Sequence, residues 1–521
     1  MPKDGILANR RSANFSYKWC LAFPLIHMAL WIIIPTLVYS NISTDSIEIL
    51  FWGRELQAGY YKHPPFASWF IEFFVTFLGK HDVVVFFASQ VGLLLSVIPL
   101  ILLAGERHSK EAAFYTSLII YSLYVVEIAT VKYNVNAGSV FFWPWIIYVF
   151  HRIERNPHLA LWILLGVLGG FGILGKYING LVLVGIVTWC VLFRRDLLKT
   201  YKPWLAVLTT IVIVSPHLKW LSENDFAPFQ YLSSRVNSVE DIGVFGHIFW
   251  PARLLFGGFF ASSVLPLLAL LICKRGFYVF NTQNLKRFYT ELSQDSLLFL
   301  TVFPIIFLIT ICIFLGQKIS TMWALPMFFI PAPLFGMLLC GKSIKYGKVF
   351  FSVALMGIYV ITGVGDIIYR IQGPSTHSRD FFGNQKGKTK LKTVLSEKAE
   401  KLWYDHYDYP LPYIVGPLYD SGAVAWYGTA NAKERPRVFE DADLKKSPWI
   451  NVDDLHSKGG IYISGEDFID PSKSVFGMCP RYITAMNRVI WGRNSDQNSI
   501  VWVAILPPTI NGGVGKNGIC P

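Results

Sequence analysis

The stretch 41–77, NISTDSIEILFWGRELQAGYYKHPPFASWFIEFFVTF, decides the interpretation of this chain. It directly follows the hydrophobic segment 19–40, which is long enough to cross a bilayer. The stretch nevertheless holds a dense set of ionisable side chains: Asp45, Glu48, Arg54, Glu55, Lys62, His63 and Glu72. Charged groups are costly to desolvate beside a membrane, so this cluster indicates a functional task rather than packing.

The composition is that of a membrane protein. Hydrophobic residues make up 53% of the 521 residues, charged residues only 16%, and the mean hydropathy is +0.42. A soluble domain carries about 25% charged residues. The apolar runs predict about eleven transmembrane helices. We place them at 19–40, 83–104, 112–130, 136–150, 159–175, 178–193, 203–216, 253–273, 296–315, 321–340 and 349–369.

The distribution of basic residues predicts the orientation. Most lysines and arginines of the bundle fall in loops that share a side with the N-terminus, which is the bias expected of cytoplasmic loops. We therefore expect a multi-pass protein of the bacterial inner membrane, with a cytoplasmic N-terminus and with 41–77 facing the periplasm. Cytoplasmic loops also carry most of the net charge of +13, so no nucleic-acid partner is expected.

The amino-acid composition of the chain changes after about residue 370. Apolar runs shrink to strand length, and Gly and Pro become frequent. We predict a transmembrane domain at 1–370 and a soluble periplasmic α/β domain at 371–521, joined by the link 373–392. Its expected helices are 393–404 and 421–427, and its expected strands are 413–415, 437–439, 460–464 and 499–506.

Two cysteines, Cys479 and Cys520, lie in the predicted periplasmic tail. The bacterial periplasm is oxidising, so these two are predicted to form a disulfide. The other five cysteines fall in or beside apolar spans and are interpreted as small packing residues.

The acidic and basic residues of 41–77 suggest group-transfer chemistry on a lipid phosphate. Asp45 and Glu48 lie three residues apart and share one face of a helix predicted at 46–57. Lys62 and His63 follow after a short link, and the next two residues are prolines, which fix the backbone. The structural alternative is that Asp45 only caps the helix, a role that Ser43 or Thr44 could also supply.

The block WGRELQAGYYKHPPFASW resembles the first external loop of bacterial polyprenol-phosphate-dependent glycosyltransferases of the family 39/83 type. These relatives have the C-type glycosyltransferase fold and include lipid A aminoarabinose and galacturonate transferases. Further similar blocks follow in order along the chain. They are VKYNVNAGSVFFWPW (131–145), GILGKYINGLVL (172–183), SPHLKWLSENDFAPFQYLSSR (215–235), KISTMWALPMF (318–328) and LPYIVGPLYDSGAVAWYG (411–428).

The resemblance implies a mostly α, polytopic membrane bundle with a C-terminal soluble α/β domain. It also implies transfer of a sugar from a polyprenyl-phosphate donor to lipid A, lipopolysaccharide or another cell-envelope acceptor. Asp45 is then the expected base, with Glu48 orienting the acceptor or raising the pKa of Asp45. Expected phosphate or sugar contacts are Lys62, His63, Lys132, Lys176, Arg235 and Lys318. Expected acceptor-side residues are His217, Tyr60 and Tyr61.

Some alternatives remain open at this point. Where many relatives carry an acid immediately before HPP, this chain has Lys62, so the residues leave open whether a divalent metal takes part. A lipid-linked sugar transporter or flippase is the main alternative, although neither repeat-related halves nor charges at the membrane midplane are evident. An assembly protein with a partner-binding tail is a third. The identity of the sugar is undetermined, since selectivity depends on pocket shape.

Overall fold

The computed structural model describes residues 17–38, 42–123, 126, 132–237, 243–256, 293–319, 321–340, 391–465, 467–488, 499–509 and 520. The expected span 349–369, most of 253–273, most of the link 373–392 and the boundary at 370 lie outside the described residues.

The membrane part is a bundle of α-helices. In chain order they are α1 (Tyr17–Val38), α2 (Thr44–Glu55), α3 (Phe66–Leu78), α4 (Asp82–Arg107), α5 (Lys110–Tyr121), α6 (Phe142–Arg155), α7 (Leu159–Gly175), α8 (Gly180–Phe193), α9 (Arg195–Leu198), α10 (Lys202–Glu223), α11 (Ala227–Asn237), α12 (Gly246–Arg253), α13 (Ser296–Leu315) and α14 (Ala332–Leu339). Helices α1, α4, α10 and α13 are long and apolar enough to cross a membrane. A mostly helical membrane protein is confirmed, while the number of about eleven spans stays a prediction.

One expected span, 136–150, starts later than its hydrophobicity suggests. Helix α6 begins only at Phe142. Before it, the Asn134 side-chain oxygen accepts hydrogen bonds from the backbone N–H groups of Asn136 and Ala137, at 2.9 and 3.2 Å. An asparagine that satisfies nearby N–H groups stabilises a turn in place of the helix. The turn places the Asn134 side chain next to Asp45 of the 41–77 cluster.

The glycine-rich segment of α7 allows close helix packing. A Cβ atom at Gly166 would lie 2.4 Å from the Ala206 carbonyl oxygen of α10, and one at Gly170 would lie 2.8 Å from Ile213. Small residues let helix backbones approach closely where lipid removes the hydrophobic driving force. The glycines of this segment therefore serve the packing of α7 against α10.

The C-terminal part forms a five-stranded sheet with helices α15 (Leu391–Tyr404), α16 (Leu418–Tyr427) and α17 (Val452–Lys458). The strands are β1 (Tyr413–Gly416), β2 (Arg437–Glu440), β3 (Gly460–Gly465), β4 (Arg481–Arg488) and β5 (Ser499–Leu506), in the order β2-β1-β3-β5-β4. Strands β1, β2 and β3 run parallel, and β5 is antiparallel to its neighbours. This arrangement confirms a small α/β domain.

The expected elements of the tail match the structure, except for β4 and α17, which the sequence did not suggest. Strand β4 lies at the sheet edge and reads RYITAMNR, which has no clean alternation of apolar residues. An edge strand needs less apolar character, because only part of its surface is covered. Cys479, just before β4, forms a disulfide with Cys520 across a Cα–Cα distance of 5.4 Å.

The tail packs directly on the helices that follow α1. Arg435, which is 2% exposed, pairs with Glu72 of α3 and donates to the Leu50 carbonyl oxygen of α2. On the other side of the contact, Trp426 of α16 donates to Asp82 of α4 at 2.9 Å. Buried polar groups are stable only when paired, so these contacts fix the tail against α2 and α3.

Candidate active site

Helix α2 presents two carboxylates to one cavity. Ser43 is the cap of this helix, since its side chain accepts from the Ser46 N–H at 3.2 Å. The alternative role of Asp45 as the helix cap is therefore wrong. Asp45 and Glu48 lie one turn apart and both line the cavity, so the shared helical face expected from their spacing is present.

Asp45 is held by two groups from the turn before α6. Its carboxylate lies 3.2 Å from the Lys132 ammonium and 3.4 Å from the Asn134 amide nitrogen, and about half of its side chain is exposed. Burial tends to raise the pKa of Asp45, but the Lys132 charge and the hydrogen bonds from Lys132 and Asn134 outweigh it and lower that pKa. The expectation that Glu48 raises the pKa of Asp45 is wrong. Asp45 is ionised at neutral pH and able to accept a proton.

Glu48 pairs instead with Lys62. Their charged groups lie 2.5 Å apart, and Lys62 also lies over the rings of Tyr61 and Tyr231, at 4.8 and 5.5 Å. Burial raises the pKa of Glu48 strongly, with Lys62 opposing the change and Glu440 reinforcing it. Lys62 is therefore a cation surrounded by aromatic faces and carboxylates.

His63 lies beside Lys62 in a tight loop. Backbone hydrogen bonds run in both directions between Tyr60 and His63, at 3.0 and 3.2 Å, and the following Pro64 lines the cavity. Burial lowers the pKa of His63 to about 3, and the charges of Lys176 and Lys62 act in the same direction. At neutral pH His63 is an uncharged hydrogen-bonding group rather than a cation.

Lys176 reaches the cavity from the end of α7. Its ammonium donates to the Asn136 side-chain oxygen, and burial lowers its pKa to about 7. Asn136 belongs to the turn organised by Asn134, so one turn supplies the partners of both Asp45 and Lys176.

The cavity has a volume of about 550 Å³. Asp45, Glu48, Lys62, His63, Lys176 and Arg235 line its polar part, together with Asn134, Asn136, Tyr177 and Tyr231. Ile178, Phe229, Leu232 and Trp323 line its apolar part. Concave sites with convergent polar groups on an apolar wall are typical of small-molecule and cofactor binding.

Similarity to known proteins agrees with this geometry. Residues 62–220 match the family described as Dolichyl-phosphate-mannose-protein mannosyltransferase. The lipopolysaccharide core galacturonosyltransferase RgtA of Rhizobium johnstonii is 27% identical over 213 residues, 39% of this chain and 41% of that protein. The lipid A galacturonosyltransferase RgtD of the same organism is 21% identical over 184 residues, 35% of this chain and 38% of that protein.

The fold comparison covers nearly the whole chain. The crystal structure of ArnT from Cupriavidus metallidurans bound to undecaprenyl phosphate superposes with a TM-score of 0.59 at 13% identity, over 95% of this chain and 99% of that one. The chain has the C-type glycosyltransferase fold. The resemblance to polyprenyl-phosphate glycosyltransferases is confirmed, although the chain spans only about two fifths of the length of the curated relatives it matches.

Tyr60, His217 and Lys318 are not part of the cavity lining, and neither are Tyr61 and Lys132. Tyr60 is fully buried, stacks on Trp52 at 5.0 Å between ring centroids, and donates to the Trp52 carbonyl oxygen. His217 is buried between the Tyr177 hydroxyl and the Ala58 carbonyl oxygen, each at 2.8 Å. Lys318 is exposed and lies 5.7 Å from the Trp250 ring. Tyr60 therefore contacts α2, and His217 connects α10 to the loop at Ala58.

The remaining expected residues come together. Lys132 reaches the cavity edge through Asp45, Arg235 lines the cavity from α11, and Tyr61 lies beside Lys62. Glu127, a further acid near these residues in sequence, lies outside the described residues.

Sequence reasoning missed several residues of this site. Asn134, Asn136 and Tyr177 belong to blocks noted for their lysines, and the polar residues beside those lysines were the available signal. Glu440 lies far away in the sequence, yet it accepts a hydrogen bond from Tyr61. No local pattern indicates that contact.

Within the described ranges, no three His, Cys, Asp or Glu side chains come together in a way that could hold a metal ion. The acids near the cavity are paired with lysines or with a tyrosine hydroxyl.

Proposed function

We propose that the protein is an integral membrane glycosyltransferase that moves a sugar from a polyprenyl-phosphate donor to lipid A, lipopolysaccharide or another cell-envelope acceptor. One observation carries the proposal: the carboxylates of α2 and the cations Lys62, Lys176 and Arg235 line a single cavity. The matches to galacturonosyltransferases of lipopolysaccharide core and lipid A support it.

The reaction makes two electrostatic demands. The acceptor hydroxyl oxygen forms a bond to the anomeric carbon as its proton passes to a base, and the bond from that carbon to the phosphate oxygen breaks. Polyprenyl phosphate departs with the bonding electrons. The site must therefore supply a proton acceptor and match the growing negative charge of the phosphate.

Asp45 is the proposed proton acceptor. It lines the cavity, is partly exposed, and is ionised because Lys132 and Asn134 lower its pKa. A carboxylate of low pKa is a weak base, so its contribution depends on position within hydrogen-bond reach of the acceptor hydroxyl.

The proposed phosphate site consists of Lys62, Lys176 and Arg235, with neutral His63 as an additional hydrogen-bonding group. Burial lowers the pKa of Lys176 to about 7. A bound phosphate favours the charged form of this lysine, because an opposite charge nearby raises the pKa of an ammonium group. Charge-assisted hydrogen bonds to phosphate are about twice as strong as neutral ones.

The apolar part of the cavity fits the lipid portion of such a donor. Ile178, Phe229, Leu232 and Trp323 provide an apolar wall beside the cations. A polyprenyl chain that lies on this wall would place its phosphate at Lys176 and Lys62. Because the relatives transfer galacturonate, a polyprenyl-phosphate galacturonate is the first donor to test.

The proposed topology places the cavity and the tail together in the periplasm of a bacterium, with the N-terminus in the cytoplasm. Contacts between the tail and α2, α3 and the loop at Tyr61 support a shared side of the membrane. The acceptor would then approach from the outer leaflet of the inner membrane.

The test is transfer by purified protein in lipid nanodiscs, with a labelled polyprenyl-phosphate sugar and lipopolysaccharide or lipid A as acceptor. We expect Asp45→Asn to reduce turnover by about a hundredfold or more, as for loss of a general base. The matched control is Asp196→Asn, which removes another ion-paired carboxylate, next to Arg194 at 2.9 Å and outside the cavity lining.

Two results would contradict the proposal. Equal turnover by Asp45→Asn and the control would remove the assigned base. Movement of the intact donor across sealed vesicles, with no sugar released to any acceptor, would favour the transporter alternative.

A further inference from the structure

The tail contributes a carboxylate to the surroundings of the cavity. Glu440, the last residue of β2, accepts a hydrogen bond from the Tyr61 hydroxyl at 2.8 Å. Glu440 is 2% exposed, and its backbone N–H donates to the Ser447 hydroxyl at 3.0 Å. The second carboxylate oxygen of Glu440 is buried and has no hydrogen-bond partner among the described residues.

Burying a carboxylate is costly unless a charge or hydrogen bond compensates it. Among the described residues, the Glu440 carboxylate accepts one hydrogen bond, from Tyr61, and the charge of the cavity lysine Lys62 acts to lower its pKa. Lys62 lies over the Tyr61 ring and pairs with Glu48. Two buried carboxylates from different parts of the chain therefore share one lysine at the cavity wall.

The strand that carries Glu440 is fixed to the membrane helices. Arg435, two residues before β2, makes the buried ion pair with Glu72 of α3. Arg437, the first residue of β2, lies 3.5 Å from Glu55 of α2. Arg435 also donates to the Leu50 carbonyl oxygen of α2. Contacts of Arg435 and Arg437 therefore join the start of β2 to the helix that bears Glu48, and this couples the positions of the two carboxylates around Lys62.

We propose that Glu440 is a positioning residue of the donor-phosphate site, which acts through Tyr61 and Lys62 so that the tail completes the cavity of the membrane bundle. The proposal rests on the proposed function. Lys62 is held by Glu48 on one side and by the Tyr61–Glu440 pair on the other. Its ammonium stays charged and directed toward the phosphate.

Several charged or titratable groups surround this pair and must be considered in any pH experiment. They are Glu48, Asp45, His63, Tyr61, Tyr231, Asp441 and Lys446. Glu440 raises the pKa of Lys62 and that of Glu48. Removal of the Glu440 charge therefore lowers both values, and both limbs of the pH profile should move to lower pH.

The experiment compares variants of the full-length protein in nanodiscs. Glu440→Gln keeps a hydrogen-bond acceptor for Tyr61 but removes the charge, and Tyr61→Phe removes the hydroxyl. The control is Asp454→Asn, since Asp454 also accepts a tyrosine hydroxyl, from Tyr413 at 2.5 Å, but lies elsewhere in the tail. The readouts are affinity for undecaprenyl phosphate, donor KM, kcat and the pH dependence of transfer.

We expect Glu440→Gln to weaken undecaprenyl phosphate binding and raise donor KM about tenfold, the scale of one charge-assisted contact. The pH profile should shift to lower pH, and the control should behave as the wild type. The double variant of Glu440 and Tyr61 should bind undecaprenyl phosphate no more weakly than the more impaired of the two single variants, because both residues act through the same contact with Lys62.

Other outcomes overturn the inference in distinguishable ways. Loss of activity by Glu440→Gln without a shift in the pH profile, matched by a lower melting temperature, would reduce Glu440 to a structural residue. Wild-type behaviour of Glu440→Gln in every readout would exclude any role. Failure of the wild type itself to bind undecaprenyl phosphate or to transfer sugar would refute the proposed function and this inference with it.

Discussion

The contact between Arg435 and Glu72 provides the sharpest stability prediction. The two charged groups lie 2.5 Å apart, and their side chains are 2% and 13% exposed. Arg435 also donates to the carbonyl oxygens of Leu50 and Ala432, at 3.0 and 2.7 Å. The change Arg435→Met removes the cation but keeps much of the apolar volume.

The expected loss in the free energy of unfolding follows from the groups that Arg435→Met leaves without a partner. Removing one partner leaves the Glu72 carboxylate buried without its cation, and such a loss costs about 3–5 kcal/mol. The Leu50 carbonyl oxygen of α2 also loses a hydrogen bond. For a domain of the size of the tail, a loss of 1 kcal/mol lowers the melting temperature by about 2–4 °C. The melting temperature of the tail should therefore fall by roughly 10 °C.

The assay is thermal unfolding in detergent, combined with limited proteolysis at the tail. The double variant Arg435→Met, Glu72→Leu should recover most of the loss, since an apolar replacement of a buried ion pair is often neutral. Lys446→Met is the control, because it breaks an exposed pair with Asp441 and should cost at most about 1 kcal/mol. A double variant no more stable than Arg435→Met alone would refute the reasoning.

Three further outcomes are expected. Binding of undecaprenyl phosphate, measured by titration from pH 6 to 8.5, should weaken as the pH rises. The reason is that burial lowers the pKa of Lys176 to about 7, so this lysine loses its charge above that pH. Lys176→Arg, which stays charged, should flatten this dependence. Gly166→Leu should lower the melting temperature and the yield of folded protein, since a Cβ there already meets the Ala206 carbonyl oxygen at 2.4 Å. Cys479→Ser should destabilise the tail by about 2–4 kcal/mol, measured by proteolysis, and a reducing agent should have the same effect on the wild type only.

The features that the sequence predicted well are local. Hydrophobic length indicated the membrane helices, and residue spacing placed Asp45 and Glu48 on one helical face. Four of the five β-strands of the tail were expected almost residue by residue, because each of the four is a short apolar run between turn residues, whereas β4 was missed. The start of α6 was missed because a side-chain hydrogen bond from Asn134 competes with helix formation, which hydropathy does not register.

The electrostatic state of the site required the structure. The spacing of Asp45 and Glu48 suggested a pair of interacting acids, yet each has its own lysine, Lys132 and Lys62. Which lysine approaches which acid depends on the turn before α6 and on the loop before α3. Those distances are tertiary, so they do not follow from spacing within one helix.

The pairing of charges in the cavity has a consequence for donor binding. Lys62 already contacts Glu48, and Lys176 already contacts Asn136. A phosphate must therefore replace these contacts or share the lysines with them. Sharing is feasible at Lys176, because an amide oxygen competes weakly with phosphate. At Lys62, sharing depends on the protonation of Glu48. Burial already raises the pKa of Glu48, and if Glu48 takes up a proton, Lys62 is released to the phosphate. Donor binding should accordingly be accompanied by proton uptake, which calorimetry in buffers of different ionisation enthalpy can measure.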